Sequence, residues 1–125
     1  MAKILVVDDD EDFCKMIAEM LEVDQHTVRT VPNSTLGEEA YRAEPADLII
    51  TDLVMPGKTG LDLIMELRKE FPGIKILAMS GGGGITGHVD YLPVAHLVGA
   101  KEILHKPFGM KELREAVMHS LEQSK

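Results

Sequence analysis

Two apolar runs in this chain end in acid. Ile4-Leu5-Val6-Val7 leads into Asp8, Asp9 and Asp10, and Leu48-Ile49-Ile50-Thr51 leads into Asp52. Short runs of this kind read as buried strands. If the two strands lie side by side and parallel, their acids meet at one edge of a sheet. Clustered carboxylates resist ionising together unless a cation stands beside them. Oxygen ligands suit Mg²⁺, which typically takes one or two carboxylates with phosphate oxygens and water. A carboxylate can also act as a nucleophile toward phosphorus. Asp52 is the residue singled out, with Asp8, Asp9 and Asp10 converging on the same edge.

Two further groups fit the same chemistry. Lys106-Pro107 follows the run Glu102-Ile103-Leu104-His105, and Ser80 ends Ile76-Leu77-Ala78-Met79. An ammonium there can pair with a phosphoryl oxygen or with the nucleophile, and the serine hydroxyl can donate to a bound phosphoryl group. Pro107 could hold a cis bond that aims the lysine. Taken singly, Lys106 reads as a solvated lysine and Ser80 as a strand terminator before glycine. Their weight lies in the combination, each group at the end of a different strand.

The elements that must position these groups are legible as alternating patterns. Strands are expected over Lys3–Val7, Thr27–Val31, 47–51, 74–79 and Glu102–His105. Three of them are nearly all apolar, as strands covered on both faces should be. Helical stripes run through Phe13, Met16, Ile17, Met20 and Leu21, through Leu61, Ile64, Met65 and Leu67, and through Met110, Leu113, Val117 and Leu121. Leu36 and Ala40 mark a weaker helix, and Asp10 suits an N-cap ahead of Glu11 and Asp12. A short fourth helix is expected over 91–98, capped by Asp90, with Pro93 in its first turn. Five strands alternating with five helices imply an α/β fold. It would be a doubly wound five-stranded parallel sheet with helices on both faces. Ligands of such sheets bind beyond the carboxyl ends of the strands, where these groups fall.

Bulk composition narrows the function. One domain accounts for 125 residues, and a formal charge of −8 argues against direct nucleic-acid binding. A single cysteine, Cys14, points to a reducing cytoplasm, and neither a signal peptide nor a membrane-spanning run is expected. The five histidines lack metal-ligand spacing. Gly57-Lys58-Thr59 mimics the end of a P-loop, but Asp52 stands where that motif needs glycine. Cys14 and the methionines read as packing residues. Gly81-Gly82-Gly83-Gly84 opens a connection to Asp90 longer than the roughly 2–6 residues usual between strand and helix.

The whole chain resembles the receiver domain of two-component response regulators. Val6-Val7-Asp8-Asp9 is similar to that family's acidic pair, and Asp52-Leu53-Val54-Met55-Pro56-Gly57 with Gly60 to its phosphoacceptor segment. Ser80 matches its hydroxyl position and Lys106-Pro107-Phe108 its lysine-proline motif. The resemblance implies the flavodoxin-like strand order 2-1-3-4-5 and transfer of a phosphoryl group from a sensor histidine kinase or phosphotransfer protein to Asp52. It implies Mg²⁺ held by Asp9, Asp52 and the backbone carbonyl of Val54, with Asp8 acting through water. Lys106 would contact the phosphoryl group and Ser80 would bond to it after transfer. The module would signal to a downstream protein, as a monomer or a phosphorylation-dependent dimer, without touching membrane or nucleic acid. No separate output domain is expected within residues 1–125, and the only reactions catalysed would be its own phosphorylation and dephosphorylation.

Two positions depart from the pattern. Ile103 stands where family members usually carry an aromatic switch residue, and an aliphatic side chain cannot make the same swing. Gly81 follows Ser80 where alanine is commoner, which would open access to the phosphoryl group. Two other readings compete. An aspartate-nucleophile phosphohydrolase of the dehalogenase type would need a second aspartate where Val54 stands, and a cap. A receiver-like binding module independent of phosphate would have no need of the full set of groups.

Overall fold

The computed structural model describes residues 2–53, 59–80, 102–106 and 108–122. The described elements run β1 (Lys3–Val7), α1 (Glu11–Val23), β2 (Thr27–Val31), α2 (Ser34–Ala43), β3 (Leu48–Asp52), α3 (Gly60–Glu70), β4 (Ile76–Ser80), β5 (Glu102–His105) and α4 (Met110–Glu122). The strands form one parallel sheet in the order β2-β1-β3-β4-β5. That is the expected doubly wound architecture. Its order reverses at β1, so the carboxyl ends of β1 and β3 flank the switch point where such sheets bind ligands. The segments expected to hold a helix at 91–98 and the glycine run, with Gly81, Val54 and Pro107, lie outside the described residues.

The strands alternate between two cores. Leu5, Val7, Ile49 and Ala78 face Tyr41 of α2 and Leu63, Ile64 and Leu67 of α3. Ile4, Val6, Leu48, Ile50, Leu77 and Met79 face Cys14, Ile17 and Leu21 of α1 and Leu113, Ala116 and Val117 of α4. Helices therefore cover both faces, which is why β1, β3 and β4 are almost wholly buried along their length.

Local chemistry sets where the helices begin. The Asp10 side chain accepts from the Phe13 amide, and Glu11 and Asp12 lie in the first turn against the positive end of the helix dipole. Asn33 caps α2. Thr59 and Asp62 form a reciprocal capping box at the start of α3.

Three expectations need correction. Strands β3 and β4 lie one to two residues further along than expected, so Asp52 and Ser80 are the last residues of their strands. Leu36 does not mark the buried face of α2, since it is exposed, and Ser34, Gly37, Glu38 and Tyr41 are buried instead. Gly37 approaches Val7 so closely that a Cβ would lie 2.9 Å from a valine methyl, and that close approach, not a leucine, docks α2 on the sheet. Met16 and Met65 are exposed, because the buried stripes of α1 and α3 are narrower than the apolar spacing suggests.

Candidate functional site

The site is assembled from four strand ends. β1 runs into Asp8, β3 ends at Asp52, β4 ends at Ser80, and β5 runs into Lys106. Asp8 and Asp52 are 1% and 5% exposed, so both carboxylates are withdrawn from bulk water and require partners. Lys106 supplies one: its Nζ donates to Asp8 Oδ2 at 2.8 Å and to Asp52 Oδ2 at 2.9 Å. Its side chain is 14% exposed. Burial disfavours the ammonium, but hydrogen bonds and charge from Asp8 and Asp52 outweigh it and raise the Lys106 pKa above its ordinary value. The lysine is held charged between the two acids.

Asp8 uses both its oxygens. Oδ1 accepts from the Asp10 amide at 2.9 Å, while Oδ2 takes the lysine. Asp9 projects an exposed carboxylate beside them. One oxygen from each of Asp8, Asp9 and Asp52 lies within 4.8 Å of the others. Three carboxylates against one ammonium leave a formal excess of two negative charges. A divalent cation would cancel it, and an all-oxygen donor set suits Mg²⁺ in chemistry as well as in charge.

The ground beneath Asp52 is tightly built. The Leu53 amide donates to Met79 O, and the Gly60 amide donates back to Leu53 O at 3.2 Å. A Cβ on Gly60 would lie 1.9 Å from the Asp52 carbonyl oxygen and 2.9 Å from Leu53 Cα. Only glycine lets α3 start this close to the end of β3. The Ser34 hydroxyl, fully buried, donates to Thr59 O at 3.1 Å and ties α2 to the same turn.

Among the expected site residues, Asp8, Asp9, Asp52 and Lys106 come together. Ser80 closes the neighbouring strand, with the Lys106 amide donating to its carbonyl at 2.8 Å. Three further side chains border the site, of which only Phe108 stood in a motif. The Phe13 ring lies under the Lys106 ammonium, 4.2 Å from Nζ to centroid, and Phe108 packs edge-on against Phe13 at 5.7 Å. The third is His105, whose Nδ1 shares a 3.1 Å hydrogen bond with Ser80 Oγ. Phe13 three residues into a helix capped by Asp10, and a histidine next to the lysine, were the available signals. Ile103 is half-buried against the α2–α3 core.

The family model for the response regulator receiver domain matches residues 4–118. The chain belongs to the response regulator receiver domain family. Among relatives, the DNA-binding transcriptional regulator NtrC of Azospirillum brasilense is 38% identical over 96% of this chain. The photosynthetic apparatus regulatory protein RegA of Cereibacter sphaeroides is 30% identical over 92% of it. The chain spans 24% and 60% of those two proteins' lengths. Among solved structures, a response regulator receiver domain protein from Clostridium thermocellum superposes with a TM-score of 0.87 at 31% identity, over 98% of this chain and 96% of that one. This receiver domain is therefore a two-component signalling module by family. No helix among its described residues is long and apolar enough to cross a membrane.

Proposed function

We propose that Asp52 of this receiver is a phosphoacceptor, charged by the phosphohistidine of a sensor kinase or phosphotransfer protein. In that step an Asp52 carboxylate oxygen bonds to phosphorus, the P–N bond breaks, and the imidazole leaves with the electron pair. The observation that carries the reading is the Lys106 ammonium bridging Asp8 and Asp52 at the ends of different strands. Such a bridge holds the nucleophile in place and keeps a positive charge where phosphoryl oxygens would arrive.

Asp9 and Asp52 are the proposed direct ligands of Mg²⁺, with the carbonyl of Val54. Asp8 already spends both oxygens on Lys106 and Asp10, which supports a role through water. When bound, the ion would offset charge between the nucleophile and the phosphoryl oxygens. After transfer, Lys106 stays on the phosphoryl group and the Ser80 hydroxyl turns to donate to it. The added charge and acceptor oxygens bias the end of β4, with Gly81 beyond it, toward a second arrangement. The output is a change in contacts with a downstream protein, and the only reactions catalysed are the domain's own phosphorylation and dephosphorylation. One cysteine, buried and unpaired, fits a cytoplasmic setting.

The test is incubation with a small acyl phosphate and Mg²⁺, followed by intact-mass spectrometry. An acid-labile phosphoryl adduct on the wild type and none on Asp52→Asn is expected. The same adduct on both proteins would refute the assignment.

A further inference from the structure

We infer that His105 is a positioning residue that holds the Ser80 hydroxyl in its resting orientation and competes for it with the phosphoryl group. The inference rests on Asp52 being the phosphoacceptor and goes on to say what restrains the hydroxyl before transfer. Ser80 and His105 are directly opposed in the parallel β4–β5 pairing, and one rung earlier Ala78 opposes Ile103. Side chains two apart along a strand share a face. Ala78 and Ile103 lie on the α2–α3 face, so Ser80 and His105 do too. The ring beside the Ser80 hydroxyl is thus the imidazole of residue 105, while position 103 carries an aliphatic group.

A serine hydroxyl has one proton to give. With Ser80 Oγ 3.1 Å from His105 Nδ1, a hydroxyl that donates to the ring cannot donate to a phosphoryl oxygen. One bond must be given up for the other. Ser80 is only 4% exposed, so water offers little in exchange. His105 is exposed on β5, an edge strand of the sheet. The ring released by Ser80 can therefore exchange that bond for water. In this chain, loading Asp52 would be read out as the freeing of His105.

Two measurements decide it. In protein labelled with ¹⁵N-histidine, long-range ¹H–¹⁵N spectra at pH 8 should show His105 with its proton on Nε2 and Nδ1 hydrogen-bonded. Mg²⁺ and beryllofluoride, a phosphoryl mimic, should shift Nδ1 to its free value, and Ser80→Ala should give that value without the mimic. In titrations, His105→Leu should bind beryllofluoride about fivefold more tightly, the factor of one ordinary net hydrogen bond. His105→Asn, which keeps a polar partner for the hydroxyl, should return toward wild type, and in a Ser80→Ala background His105→Leu should change nothing. An Nδ1 signal indifferent to the mimic, or a His105→Leu effect that persists without Ser80, would overturn the inference while leaving the phosphoacceptor reading intact. A wild-type protein that binds no beryllofluoride would overturn both.

Discussion

Replacing Lys106 by methionine should expose the charge balance on which the site depends. Methionine keeps most of the stem over Phe13 and removes the ammonium. Two charge-assisted hydrogen bonds, at 2.8 and 2.9 Å, are lost. Their carboxylates are 0% and 7% exposed as side chains, so neither can recover full hydration. Breaking a buried ion pair from one side typically costs 3–5 kcal/mol. Here one lysine serves two acids beside an open Asp9 edge, and the lysine's own burial cost is relieved. The lower end, about 3 kcal/mol, is therefore expected for the metal-free protein. Mg²⁺ should then matter more to the variant. A unit charge and a divalent one about 4 Å apart repel by about 2 kcal/mol even at the dielectric constant of water, so removing the ammonium should tighten Mg²⁺ binding at least tenfold. At a Mg²⁺ concentration about 100 times its dissociation constant, the metal returns about 2.7 kcal/mol, close to what the substitution removed. Urea unfolding of both proteins, each with and without Mg²⁺, measures all of this. Equal stability of the two metal-free proteins, or equal stabilisation by Mg²⁺, would contradict a lysine that neutralises both acids.

Other consequences follow from the same geometry. Gly60→Ala places a methyl 1.9 Å from the Asp52 carbonyl oxygen, against backbone that cannot rotate away. The first turn of α3 must shift, with a loss of about 3 kcal/mol in urea unfolding and slower phosphoryl uptake; an unchanged midpoint and uptake rate would contradict it. Burial, reinforced by the charges of Asp8 and Asp10, pushes the Cys14 thiol up from 9.0 to about 11. At pH 8 the folded protein should therefore alkylate about a hundredfold more slowly than a free thiol, accelerating about tenfold per pH unit. Because the unfolded thiol ionises first, stability should also fall as pH rises from about 9 to 11. Alkylation of native protein at pH 8 as fast as in urea would rule this out.

The sheet and the acidic site were readable because they rest on short-range signals. Runs such as Ile4–Val7 and Leu48–Ile50 have no polar positions and are short and bounded by acid, so they read as strands covered on both faces. Parallel pairing then brings their trailing acids to one edge. The helices were less clearly written. Leu36 and Met65 fit the period but face water, because the faces of α2 and α3 are set by close approaches, such as Gly37 on Val7, that hydropathy does not encode. The bond between His105 and Ser80 was hidden for a different reason. It depends on the β4–β5 register, which opposes two residues 25 apart in the chain, and no local pattern specifies that pairing. Phe13 under Lys106 is a longer-range case of the same kind.

A phosphoryl group carried by the carboxylate of Asp52 itself leaves a chemical trace at that one residue. Borohydride reduction of protein loaded with an acyl phosphate and Mg²⁺ converts an aspartyl phosphate to homoserine, which peptide mass spectrometry can locate. Homoserine is expected at position 52 and at no other acid. Homoserine at Asp8 or Asp9, or a phosphoryl group recovered on Ser80 or a histidine with residue 52 intact, would contradict it.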